Sequence, residues 1–133
     1  MTRYVIDAPT LLYVVAQSQP VSPAHQLVAP NSIRSQALAL LFTAVRNGDL
    51  TEAEALSRHE QITEQKMRLL GDRVSRRTAW TIARDQGWAT IDDAEYLAVT
   101  RLQADALVTI SKDLAAKAAG VVAMAPVEEL LAD

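Results

Sequence analysis

The stretch RYVIDAP at residues 3–9 is the part of the chain from which the fold is most directly inferred. Its apolar, β-prone segment 4–6 favours a short strand buried on both faces, as in a parallel sheet. Pro9 suits the first turn of a helix, because its missing N–H would have no helical partner there. In an open parallel sheet, ligands bind beyond the carboxyl ends of the strands. Asp7 is therefore either part of a binding site or only the cap of the following helix.

Composition narrows the class of protein. The 133 residues suit one domain, 1–133, with a sizeable core, and half of them are hydrophobic. The absence of cysteine excludes disulfides and thiolate metal sites and makes a cytoplasmic location the default. A net charge of −3 counts against a general nucleic-acid-coating role. No apolar window is long enough to span a bilayer, and the opening residues do not resemble a signal peptide.

Apolar periodicity and helix-stop signals predict strands that alternate with helices. A parallel sheet of four to five strands, flanked by helices and joined by right-handed crossovers, is the α/β architecture that this order favours. The capping-box pattern at 51–54 predicts a polar helix that runs to about Leu70. After the opening strand and helix, the predicted strands are 25–29, 105–109 and 121–124, and the predicted helices are 32–47, 51–70, 75–86, one beginning at 92–93, 111–120 and 126–131.

Basic and aromatic residues cluster around the predicted helix 75–86. Four arginines, which are suited to contact phosphates, bracket its start, but a solvated helix face interleaved with acidic residues explains them as well. Trp80 and Trp88 are either stacking platforms for bases or packing residues. The arginines are Arg68, Arg73, Arg76 and Arg77.

The order of these segments resembles a PIN domain and, within it, the VapC group of toxin ribonucleases. The resemblance rests on four stretches that together cover the chain. They are the strand ending at Asp7, Pro30 and Gln36 with the segment 47–56, DAEYLA at 93–98, and ALVT at 106–109 leading to Ser111 and Leu114. The resemblance implies a PIN-like fold and a Mg²⁺- or Mn²⁺-dependent endoribonuclease in which carboxylates converge at the carboxyl edge of the sheet.

The resemblance places the principal metal-binding and catalytic carboxylates at Asp7 and Asp93. Gln36 and Ser111 stand where the family usually has Glu and Asp, so the inferred site keeps two of its four formal charges. Divalent ions bind chiefly through ligand charge, and the loss of two carboxylates should weaken the affinity for metal. Two further acids, Asp92 and Asp113, are substitute ligands or simply stabilise helix N-termini.

Two functions from different classes follow from the resemblance, and a third possibility is a generic α/β protein whose similarity to this family is accidental. The first is an active VapC-like ribonuclease, the toxin of a toxin–antitoxin pair. The second is a catalytically silent PIN-fold module that acts by binding or regulation. The resemblance further implies RNA as a partner, a small antitoxin that offers a basic residue to the acidic site, and a homodimer. Leu38, Phe42 and Trp80 suit such protein surfaces; the alternative is that they are ordinary core residues.

Overall fold

Four parallel strands form a single sheet in the computed structural model, which describes residues 1–131. The last two residues of the predicted domain, 132–133, lie outside the described residues. The strands are β1 (Thr2–Ile6), β2 (His25–Pro30), β3 (Arg68–Leu70) and β4 (Ala106–Val108). Their order in the sheet is β3-β2-β1-β4. The predicted α/β class, with a parallel sheet flanked by helices, is confirmed.

Six α-helices connect and cover these strands within the described residues. They are α1 (Ala8–Val15), α2 (Ile33–Arg46), α3 (Glu52–Glu64), α4 (Arg73–Gln86), α5 (Asp92–Gln103) and α6 (Lys112–Ala118). Helix α5 packs against β1, β2 and β4, while α1 packs against α2 and α3. None of the helices in this part of the chain has the length and apolar character needed to cross a bilayer.

Local signals in the sequence account for several helix ends. The Thr51 hydroxyl accepts a hydrogen bond from the Glu54 N–H, and the Glu54 carboxylate accepts one from the Thr51 N–H, so the predicted capping box is confirmed. Gly87 ends α4 with φ +71°, a backbone conformation that glycine adopts without strain. The predicted start of the helix after Thr51 and the predicted end of the helix before Gly87 are thus confirmed.

Three predicted elements are wrong. The helix from the capping box ends at Glu64 and not near Leu70, because Leu69 and Leu70 gain burial by pairing with the edge of β2. The strand predicted at 121–124 is reduced to one bridge between Met124 and Leu107, since the chain turns at Gly120. The helix predicted at 126–131 is a three-residue 3-10 turn, Val127–Glu129.

The register of the central strands positions the carboxyl edge of the sheet. Ile6 pairs with Val108, so the next residues, Asp7 and Thr109, leave the sheet side by side. All three residues of β4 are buried, as are the last three of β1. The two strands are thus held in place by the core, and the polar residues that follow them lie at a fixed edge.

A candidate polar site at the carboxyl edge of the sheet

Asp7 is the most enclosed charged residue at this edge, with only 5% of its surface exposed. The Thr10 hydroxyl donates to one of its carboxylate oxygens, and the Thr109 hydroxyl donates to the other at 3.0 Å. The two hydroxyl oxygens in turn accept backbone N–H groups, from Ile110 to Thr10 and from Ser111 to Thr109, both at 3.0 Å. Asp7 stands at the N-cap position of α1, where its backbone carbonyl accepts the Leu11 N–H at 2.9 Å, while its carboxylate is held by the two threonine hydroxyls.

Burial raises the pKa of Asp7 above its ordinary value of 3.8, although the two threonine hydroxyls favour the ionised form and act in the opposite direction. The folded protein therefore binds the Asp7 proton more tightly than the unfolded chain does. The stabilisation linked to that proton is fully present below pH 3.8 and is lost as pH rises through the higher folded pKa.

The substitution Asp7→Asn should remove this loss of stability. The unfolding free energy of the variant minus that of the wild type should increase as pH rises above 3.8, and it should stop increasing once pH exceeds the folded pKa of Asp7. Urea unfolding at a series of pH values measures it. A difference that is constant over that range, or that moves in favour of the wild type, would contradict the raised pKa.

Tyr96 connects two helices of the site, α5 and α2. Its hydroxyl donates to the side-chain carbonyl oxygen of Gln36, which links α5 to the first turns of α2. Tyr96 is 3% exposed, and burial raises its pKa strongly. The negative charge of Asp7 raises the pKa of Tyr96 further, and the charges of Glu95, Asp93 and Asp92 make smaller contributions in the same direction. Tyr96 is therefore a neutral hydrogen-bond donor at neutral pH, surrounded by carboxylates.

Asp93 faces a positive charge supplied by the protein itself. The Lys117 ammonium lies 2.7 Å from one Asp93 carboxylate oxygen and 5.2 Å from the centre of the Trp88 ring. Both charged side chains are about one-third exposed, at 36% for Asp93 and 35% for Lys117. Trp88, which packs against the core, thus also supports the ammonium by a cation–π contact. The ion pair connects the start of α5 to the end of α6.

Ser111 and the two additional acids have more ordinary surroundings. The Ser111 hydroxyl accepts the Leu114 N–H at 3.2 Å and caps α6, while its own N–H reaches Thr109. Asp92 and Asp113 are exposed in the first turns of α5 and α6. Ser111 therefore borders the Asp7 network through Thr109. Within residues 1–131, the Asp92 and Asp113 carboxylates make no hydrogen bond to that network.

The sequence interpretation missed the residues that connect the site. Tyr96 stands one helical turn after Asp93, a spacing that places the two side chains on one face of α5 and that was available as a signal. Thr10 and Thr109 follow the two strand ends closely. Lys117 gave no comparable signal, because its partner lies 24 positions away and its spacing from Asp113 is typical of a solvated helix face.

The predicted ligand set fits a divalent cation poorly in this arrangement. The side-chain oxygens of all four members already accept a hydrogen bond from the protein. The donors are Thr10 and Thr109 for Asp7, Tyr96 for Gln36, the Lys117 ammonium for Asp93 and the Leu114 N–H for Ser111. An oxygen that accepts one hydrogen bond keeps a second lone pair for an ion, but a cation at Asp93 would meet the Lys117 ammonium, a group with the same sign of charge. Across residues 1–131, no three His, Asp or Glu side chains are grouped closely enough to hold a metal ion.

The fold resembles that of PAE2754 from Pyrobaculum aerophilum, known from a crystal structure. The TM-score is 0.71 and the sequence identity 23%, over 98% of this chain and 94% of that chain. The two proteins share a fold. At this identity the similarity extends no further than the fold. No model of a known protein family matches the chain, and no functionally curated protein matches it.

Proposed function

We propose that this chain is a PIN-like domain of the VapC kind whose nuclease site has been neutralised, and that it works as a binding module. The single observation that carries the proposal is the 2.7 Å ion pair between Lys117 and Asp93. One of the two remaining family-type carboxylates is thereby matched by an internal cation. The other, Asp7, is buried under two threonine hydroxyls.

The charge balance of the site supports a binding role over metal-dependent hydrolysis. Counted formally, Asp7, Asp93 and Lys117 sum to −1, since Gln36 and Ser111 contribute no charge. Metal-assisted phosphodiester cleavage needs carboxylates that hold the ion and leave it open to substrate. By resemblance, an antitoxin offers a basic residue to the acidic site, and Lys117 supplies such a group from within the chain.

Cleavage of structured RNA in the presence of Mn²⁺ or Mg²⁺ tests this proposal. We expect the wild type to release no more product than the matched variant Asp7→Asn, because the wild-type site holds no catalytic ion. Both proteins should be purified side by side, so that a contaminating ribonuclease gives equal background. Metal-dependent cleavage by the wild type that disappears in Asp7→Asn would overturn the proposal.

An active metal-dependent ribonuclease is the second candidate function. It is favoured by the retention of Asp7 and Asp93, whose charges both act on the same Tyr96 hydroxyl. In that function Asp7 and Asp93 would be the principal Mg²⁺ or Mn²⁺ ligands, with Gln36 and Ser111 binding through neutral oxygens. The cleavage experiment distinguishes the two candidates directly. For both candidate functions we propose a cytoplasmic location, a homodimer, and RNA and a small antitoxin as partners.

A further inference from the structure

A shallow, basic depression lies on the exposed face of α4, and all of its lining residues belong to that helix. It is about 660 Å³ in volume and is called the α4 groove below. Its lining residues are Arg73, Arg76, Arg77, Trp80, Thr81 and Arg84. Four of these six are arginines, although the chain as a whole carries a net charge of −3. The groove is therefore a local concentration of positive charge on an acidic protein.

The arginines of the groove point to solvent, and most of them are free of acidic partners. All four are exposed, and within residues 1–131 only Arg84 forms an ion pair, with Asp85 at 3.1 Å. The neighbouring acid, Asp72, has its carboxylate engaged with the Ser75 N–H at 2.8 Å as the cap of α4. Arg73, Arg76 and Arg77 thus remain available to a ligand.

Trp80 gives the groove a second kind of contact. Its side chain is 65% exposed, an unusual position for a large aromatic residue in a folded protein. Arg76 and Arg77 precede it by one helical turn, and Arg84 follows it by one. The opposite side of α4 packs into the core through the buried residues Ala79 and Ile82.

We propose that the α4 groove binds single-stranded nucleic acid. Phosphates would pair with the guanidinium groups, and a base would stack on the exposed Trp80 ring, which is how many single-strand-binding proteins combine charge with an aromatic platform. Arginine also stacks on bases, so the residues that flank Trp80 extend the platform. From Arg73 to Arg84 the helix rises about 16 Å, enough for several nucleotides. This inference names a surface for the RNA partner proposed above, and it does not use the residues of the polar site.

Fluorescence anisotropy of a labelled oligouridylate of about twelve nucleotides is the measurement. At about 50 mM salt we expect a Kd on the order of 1–100 μM. Trp80→Ala should weaken binding by roughly 5- to 100-fold, since one stacked base is lost. Arg76→Ala with Arg77→Ala should reduce the slope of log affinity against log salt by about 0.7 for each lost phosphate contact.

Matched controls come from other helices. Phe42→Ala removes an aromatic ring that is 69% exposed on α2, and Arg46→Ala with Arg101→Ala removes two exposed arginines outside the groove. These variants should bind like the wild type.

The inference would be overturned if the wild type did not bind the oligonucleotide, or if the groove variants bound it as tightly as the wild type does. It would also be overturned if an oligoglutamate peptide bound as tightly as the oligonucleotide. A dimer that Trp80→Ala dissociates, without RNA binding, would identify the face as a contact between copies. A failure here leaves the cleavage and metal experiments on the polar site unaffected.

Discussion

Restoring negative charge at the sheet edge should create a metal site. We expect the triple substitution Gln36→Glu, Ser111→Asp and Lys117→Ala to bind Mn²⁺ on the order of 100-fold more tightly than the wild type does. The formal charge of the site changes from −1, for Asp7, Asp93 and Lys117, to −4, for four carboxylates. Divalent cations prefer oxygen ligands, and their affinity rises with the charge of those ligands.

Calorimetric titration with Mn²⁺ measures this gain. A second readout is unfolding, because an ion that binds only the folded protein stabilises it by about 2.7 kcal/mol at a concentration of 100 Kd. Adding Asp7→Asn to the triple variant is the control and should abolish most of the gained affinity. A triple variant that folds normally and does not bind Mn²⁺ would mean that these side chains do not converge on one point.

The largest expected loss of stability comes from the helix that carries Tyr96 and Asp93. Leu97 on α5 is fully buried, and α5 packs against three of the four strands. Leu97→Ala should therefore lower the free energy of unfolding by about 2–5 kcal/mol, through lost transfer energy and the cavity left behind. Urea unfolding followed by circular dichroism gives the value.

Leu102→Ala is the matched control on the same helix. Its side chain is 39% exposed, so the same truncation there should cost no more than about 1 kcal/mol. Equal losses for the two variants would show that α5 is not seated on the sheet, and the placement of Tyr96 and Asp93 would then fail with it.

Much of the fold was predictable because its elements carry local signals. The segment 4–6 is short and apolar, and a helix with proline in its first turn follows it, so β1, Asp7 and α1 could be placed from adjacent residues alone. The capping box at Thr51 and the glycine at 87 likewise act within one helical turn. Strand β3 was missed because its three residues are stabilised by pairing with distant β2, which no local pattern records.

The site was predictable only where a residue type follows a strand end. Asp7 could be inferred in this way, and its neighbour Thr109 lies at the corresponding end of β4. The ion pair of Lys117 with Asp93 joins two helices and depends on how α5 and α6 meet at the sheet edge. No spacing in the sequence encodes that meeting, so the residue that most changes the chemistry of the site was the least visible.

Titration of the wild-type protein with Mn²⁺ tests the central claim most directly. If Lys117 and the neutral residues Gln36 and Ser111 have replaced the charge that an ion would need, calorimetry should give no isotherm tighter than the millimolar range, and Asp7→Asn should give the same trace. A sub-millimolar isotherm for the wild type that is lost in Asp7→Asn would contradict the claim.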